Sequence, residues 1–96
     1  MLTHIVVWKY KDETSEEARE RQREKLRNLP NEIPHILKFD VGADTLHLER
    51  SYDTGLVAVF PDKKALDFYT EHETHREVAE MGKEIAAHVA SVDFEN

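Results

Sequence analysis

Residues 2–10, Leu2-Thr3-His4-Ile5-Val6-Val7-Trp8-Lys9-Tyr10, alternate along their whole length. Successive side chains of a strand point to opposite sides, so Leu2, His4, Val6, Trp8 and Tyr10 share one face and Thr3, Ile5, Val7 and Lys9 the other. Ile, Val, Trp, Tyr and Thr favour extended chain. Both faces carry apolar residues, so the strand is expected to be covered on both sides. A layer of helices covers one face, and a partner subunit's sheet is the natural cover for the other.

Outward from this strand, a helix is expected over Ser15–Leu29, opened by a Thr14/Glu17 capping box and ended by Pro30. Its apolar stripe, Ala18, Leu26 and Leu29, is thin, which places it on the surface. Residues 35–41 read as a second strand with His35, Leu37, Phe39 and Val41 on one face, ended by Gly42. Residues 43–53 form a polar loop with Leu46 and Leu48 tucked in. Gly55–Phe60 is continuously apolar and therefore a central strand. Asp62 caps a short helix through about Thr70, with Leu66 and Tyr69 on one face. Thr74 and Glu77 form a second capping box, which puts His75 at the first position of a last helix with Val78, Met81 and Ile85 buried. Residues 88–94 alternate again and close the chain.

The order is β-α-β-β-α-β with the second crossover split in two. It predicts an α+β, ferredoxin-like domain over residues 1–96: a four-stranded antiparallel sheet with helices on one face. The bare face would pair with that of a second copy, making a homodimeric α/β barrel. Size points the same way. A chain of 96 residues without cysteine has a marginal core and no disulfide to reinforce it. The net charge of −7 argues against nucleic acid and anionic membrane surfaces as partners. The longest apolar run, Leu56–Phe60, is far too short to span a bilayer. With no secretory leader in view, the cytoplasm is the expected location.

Phosphate-loop, GxGxxG, HExxH and cysteine-nucleophile signatures are absent. The residues that can carry chemistry are His4 and the run Tyr69-Thr70-Glu71-His72-Glu73-Thr74-His75. A neutral histidine takes a proton near its ordinary pKa of about 6.5, and a tyrosine hydroxyl can hydrogen-bond a carbonyl oxygen as charge builds on it. The pair suits proton abstraction next to a carbonyl. Each side chain also has a structural explanation: Tyr69 as the buried face of a helix, His75 as a loop cap, His4 as a satisfied sheet histidine. His72-x-x-His75 lacks an indicated third ligand, so neither a metal nor a cofactor is expected.

These two stretches, Thr3–Lys11 with its early histidine and Phe68–His75, resemble the stress-responsive dimeric α/β-barrel, or Dabb, domain family in the same element order over nearly the whole chain. The resemblance implies a ferredoxin-like monomer and a homodimer. Many members have no assigned activity, some plant members are stress-induced stable oligomers, and one plant member cyclises a linear polyketide by an intramolecular aldol reaction. The tyrosine and histidine that do the acid/base work in that enzyme fall on Tyr69 and His75. Its early-strand pocket histidine falls on His4, and His72 matches the first histidine of the family's pair. Glu73 stands where the family often has proline, Thr54 or Gly55 where the cyclase has a further pocket histidine, and Leu26 where it has a tyrosine. Three functions stay open. The first is a pocket for a small apolar carbonyl compound, lined by His4, Tyr69, His72 and His75, with lyase- or cyclase-type chemistry through Tyr69 and His75. The second is a non-catalytic, stress-associated dimer. The third is a cofactor-free monooxygenase or haem-processing barrel.

Overall fold

In the computed structural model, which describes Met1–Asn96, strand β1 (Leu2–Tyr10) is an inner strand of the sheet. It pairs antiparallel with β3 (Thr54–Phe60) on one side and β4 (Ala86–Glu95) on the other. Strand β2 (Lys38–Ala43) pairs with β3, giving the order β2-β3-β1-β4. Helices α1 (Glu16–Arg27), α2 (Leu29–Glu32), α3 (Lys63–Glu71) and α4 (Glu73–Ile85) make the crossovers. This is the ferredoxin-like α+β fold expected from the sequence.

Alternation decides which side chains meet the helices. Leu2, His4, Trp8 and Tyr10 of β1 and Thr54, Leu56, Ala58 and Phe60 of β3 are buried, and the core runs from them to Leu26, Leu29, Ile33, Tyr69 and Val78. The opposite face carries Ile5, Val7, Val57 and Val59, all half-buried, with Val92 at 53% and Phe94 at 43% exposure. So the apolar residues on both faces of β1 are real, and no helix covers the second set.

Several local expectations are corrected. Ser15, not Thr14, caps α1 and accepts from the Ala18 N–H at 3.1 Å. The Thr14 hydroxyl is drawn away and donates to the Ile85 carbonyl at 3.1 Å. Pro30 does not end α1, which stops at Arg27; it sits in the first turn of α2, where its missing N–H costs nothing. Nor is α1 only a surface helix. Gln22 and Arg23 are buried with Leu26, and Arg23 donates to Thr54, Glu20 and Glu16 at 3.1, 2.8 and 2.8 Å, the partners a buried cation requires. Strand β2 starts at Lys38 because His35, at φ 70, leaves the extended region. Gly42 lies inside β2 opposite Gly55 and does not end it. Leu46 and Leu48 are 71% and 39% exposed, not tucked in. Helix α4 begins at Glu73, capped by His72 and not by Thr74, so His75 occupies its third position.

Candidate functional site

Three elements bring the titratable side chains together under the helix layer. The alternation of β1 turns His4 inward, where it is 9% exposed. The β1–β4 register sets Asp93 directly opposite, and the Asp93 carboxylate accepts a hydrogen bond from His4 Nδ1. That bond fixes the ring's orientation and leaves Nε2 for whatever enters the space above it.

Tyr69 descends from α3. Its ring is 1% exposed and packs on Phe60 at 5.1 Å between centroids, with His4 edge-on at 6.0 Å and His75 at 4.5 Å. Gln22 Nε2 is the buried side-chain polar atom that has no partner. The Tyr69 oxygen, which has no hydrogen-bond partner within the chain either, is therefore open to the neighbouring cavity that the residue lines. Burial pushes the Tyr69 hydroxyl's pKa well up, so it keeps its proton and stays a donor.

His75 Nδ1 lies 3.2 Å from the Thr70 carbonyl. A carbonyl only accepts, so Nδ1 carries the hydrogen and Nε2 keeps its lone pair. Burial lowers the His75 pKa below 6.5; the Thr70 bond opposes this, and the nearby His4 and His72 add to it. The result is a neutral imidazole beside a protonated phenol, which is the charge state needed to take a proton from carbon while hydrogen-bonding a carbonyl oxygen.

His4, Tyr69 and His75 all line one cavity of about 240 Å³ between α4, β1 and β4, whose remaining wall is largely apolar, including Val6, Trp8, Leu26 and Leu56. His72 is not among its lining residues. Its Nδ1 accepts from the Thr74 N–H at 3.1 Å, and its ring meets Phe68 at 6.0 Å. No three His or acidic side chains converge in a metal-binding group. Two lining or supporting residues were missed in the sequence: Asp93, which appears only once β4 is registered on β1, and Lys83, which shares an i, i+4, i+8 ridge with His75 and Ala79.

A family model described as the stress responsive A/B barrel domain matches residues 2–96. Among curated proteins none matches the chain. Of solved structures, a dimeric ferredoxin-like protein of unknown function from Thermobifida fusca superposes with a TM-score of 0.90 at 24% identity, over 99% of this chain and 90% of that one. A second dimeric ferredoxin-like protein of unknown function, from Jannaschia, is 27% identical with a TM-score of 0.84, over 99% and 98%. Hydroxynitrile lyase from Passiflora edulis has a TM-score of 0.87 at 15% identity, over 97% and 90%; that likeness, like the first, is one of fold.

Proposed function

We propose, for a chain that belongs to the stress-responsive A/B barrel (Dabb) family, that the cavity beside Tyr69 binds a small apolar carbonyl compound and moves a proton at the carbon next to its carbonyl. The observation that carries this is the pairing of an unpartnered Tyr69 hydroxyl with a neutral His75 whose ring lies 4.5 Å away. His75 Nε2 takes the proton as general base, and Tyr69 donates to the oxygen as negative charge builds there. The outcome is enolisation, with isomerisation or cyclisation open to the enolate. His4, steadied by Asp93, supplies a further polar contact, and His72 works through the α4 cap. Acid and base both come from the protein, so the step calls for no cofactor.

The working unit in this proposal is a homodimer closed over the apolar sheet face; a dimer is supported by the Jannaschia protein, which is described as dimeric. Its place is the cytoplasm. A net charge of −7 disfavours nucleic acid and anionic membranes as partners, and no helix is long and apolar enough to cross a membrane.

The test is hydrogen–deuterium exchange beside the carbonyl of small apolar ketones in heavy water, followed by NMR. The wild-type chain is expected to exceed the buffer rate. Tyr69→Phe and His75→Ala are each expected to lose about 100-fold or more, the usual size of such contributions. Tyr69→Phe exchanging at the wild-type rate would remove Tyr69 from the chemistry.

A further inference from the structure

The cavity has a second polar end. On α4, His75, Ala79 and Lys83 recur at i, i+4 and i+8 and all line it, as one ridge of a helix must. On the sheet below, His4, Val6 and Trp8 line it at two-residue intervals, with Asp93, Ser91 and Val89 opposite them in register. Helix α4 runs antiparallel to β4, so the rungs match. His75, His4 and Asp93 lie at one end, Ala79, Val6 and Ser91 in the middle, and Lys83, Trp8 and Val89 at the other. His75 and Lys83 are about 12 Å apart along the helix axis, at about 1.5 Å per residue. His4 and Trp8 are about 13 Å apart along the strand, at about 3.3 Å per residue.

One charged donor at the far end has no acceptor. Lys83 is exposed, and its ammonium pairs with neither Glu80 nor Glu84 nor any other carboxylate. The Trp8 indole nitrogen packs against Gly82, where an added Cβ would meet it at 3.2 Å and Gln22 Nε2 at 3.1 Å, so Trp8 serves the cavity as an apolar wall. A free ammonium at the end of a largely apolar channel matches a carboxylate, which accepts a charge-assisted hydrogen bond from it.

We propose that the ligand is a straight-chain oxo-carboxylate, with its ketone between Tyr69 and His75, its chain along Val6, Ala79 and the Trp8 ring, and its carboxylate on Lys83. This rests on the pocket reading above and adds the substrate class. Length and polarity at both ends, not bulk, select the ligand.

Trp8 is the chain's single tryptophan, so its fluorescence reports occupancy directly. The probes are a straight-chain methyl-ketone carboxylate long enough to span the cavity and its methyl ester, titrated at low ionic strength. The acid is expected to bind about tenfold more tightly than the ester, a difference of about 1.4 kcal/mol, shrinking as salt screens the exposed ammonium. Lys83→Arg keeps the preference, Lys83→Met brings the acid down to the ester's affinity, and Lys83→Glu puts it below. Equal binding of acid and ester by the wild type, or an acid preference that survives Lys83→Met, overturns the carboxylate end and leaves the ketone pocket standing. If neither probe perturbs Trp8, both proposals fall together.

Discussion

Tyr69 and His75 are pushed apart in proton affinity by the same burial. Removing water disfavours the phenolate and the imidazolium alike, so the tyrosine titrates above its ordinary range and the histidine below 6.5. The exchange rate should follow. Its kcat/KM rises with pH along an acid limb that lies below an ordinary histidine's, because His75 must be neutral, and no basic limb from Tyr69 appears below about 10. The stability sign agrees. Above about 6.5 both folded and unfolded states hold His75 neutral. As pH falls past that value the unfolded chain takes the proton first, so the fold loses stability until the native pKa is passed. A limb at or above 6.5, measured on the same ketone, would remove His75 as the base. Three of the cavity's polar residues, His4, Tyr69 and His75, are legible in the sequence because they sit on periodic elements whose faces can be counted. Asp93 and Lys83 are not, because their part depends on the pairing of β4 with β1 and on the ridge of α4, both set by contacts distant in sequence.

At the scale of elements, α4 shows how a cap positions a site. His72 accepts from the Thr74 N–H with its side chain, and the helix that starts there presents His75 at its third position, facing Tyr69. Removing the cap frays the first turn and takes His75 with it. His72→Ala is expected to cost about 1 kcal/mol by urea denaturation and to lower ketone exchange. His72→Asn, which restores a strong capping acceptor, should recover both. A ligand contact by the imidazole would leave activity low in the asparagine variant even with stability restored, and that result would return His72 to the pocket. The same cap marks where pattern and structure part. The sequence offers hydroxyls with a glutamate three residues on, at Thr14 and at Thr74, yet the chain uses Ser15 and His72. A capping box names residues able to cap, and the outcome turns on competition: Thr14 is taken by the Ile85 carbonyl. Strands β1 and β3 read correctly because alternation and a continuous apolar run are local signals. β2 slips by three residues because nothing local announces the left-handed backbone at His35.

For the whole molecule, the open sheet face is the feature that asks for a partner. Ile5, Val7, Val57 and Val59 stand half-buried there beside exposed Val92 and Phe94, and contiguous apolar patches beyond a few hundred Å² are rare on monomers. Pairing two such faces would pack sheet on sheet about 10 Å apart and take this apolar surface out of water. Gly42 and Gly55, opposite each other on neighbouring strands, leave that face hollow where an added Cβ would meet little: nothing within 4 Å at Gly42, and only Val7 at 4.0 Å at Gly55. The centre of the face is therefore the place to test assembly. Val57 lies opposite Ile5 and Asp40 in the ladder. Val57→Lys points an ammonium into the proposed dry interface, and two copies of it meet across a two-fold axis. Even with Asp40 across the ladder, taking that ammonium out of water costs several kcal/mol, more than a valine's packing on one side can offset. Sedimentation at micromolar concentration should find the wild-type chain as a dimer and the variant as a monomer, with a lower Tm because the apolar face returns to water. His4 is on the other face of β1, so its bond to Asp93 should survive in that monomer as long as the sheet does. Ketone binding retained with the dimer gone would assign the pocket to a single chain, while a dimeric Val57→Lys protein would mean that the two sheets meet somewhere other than this face.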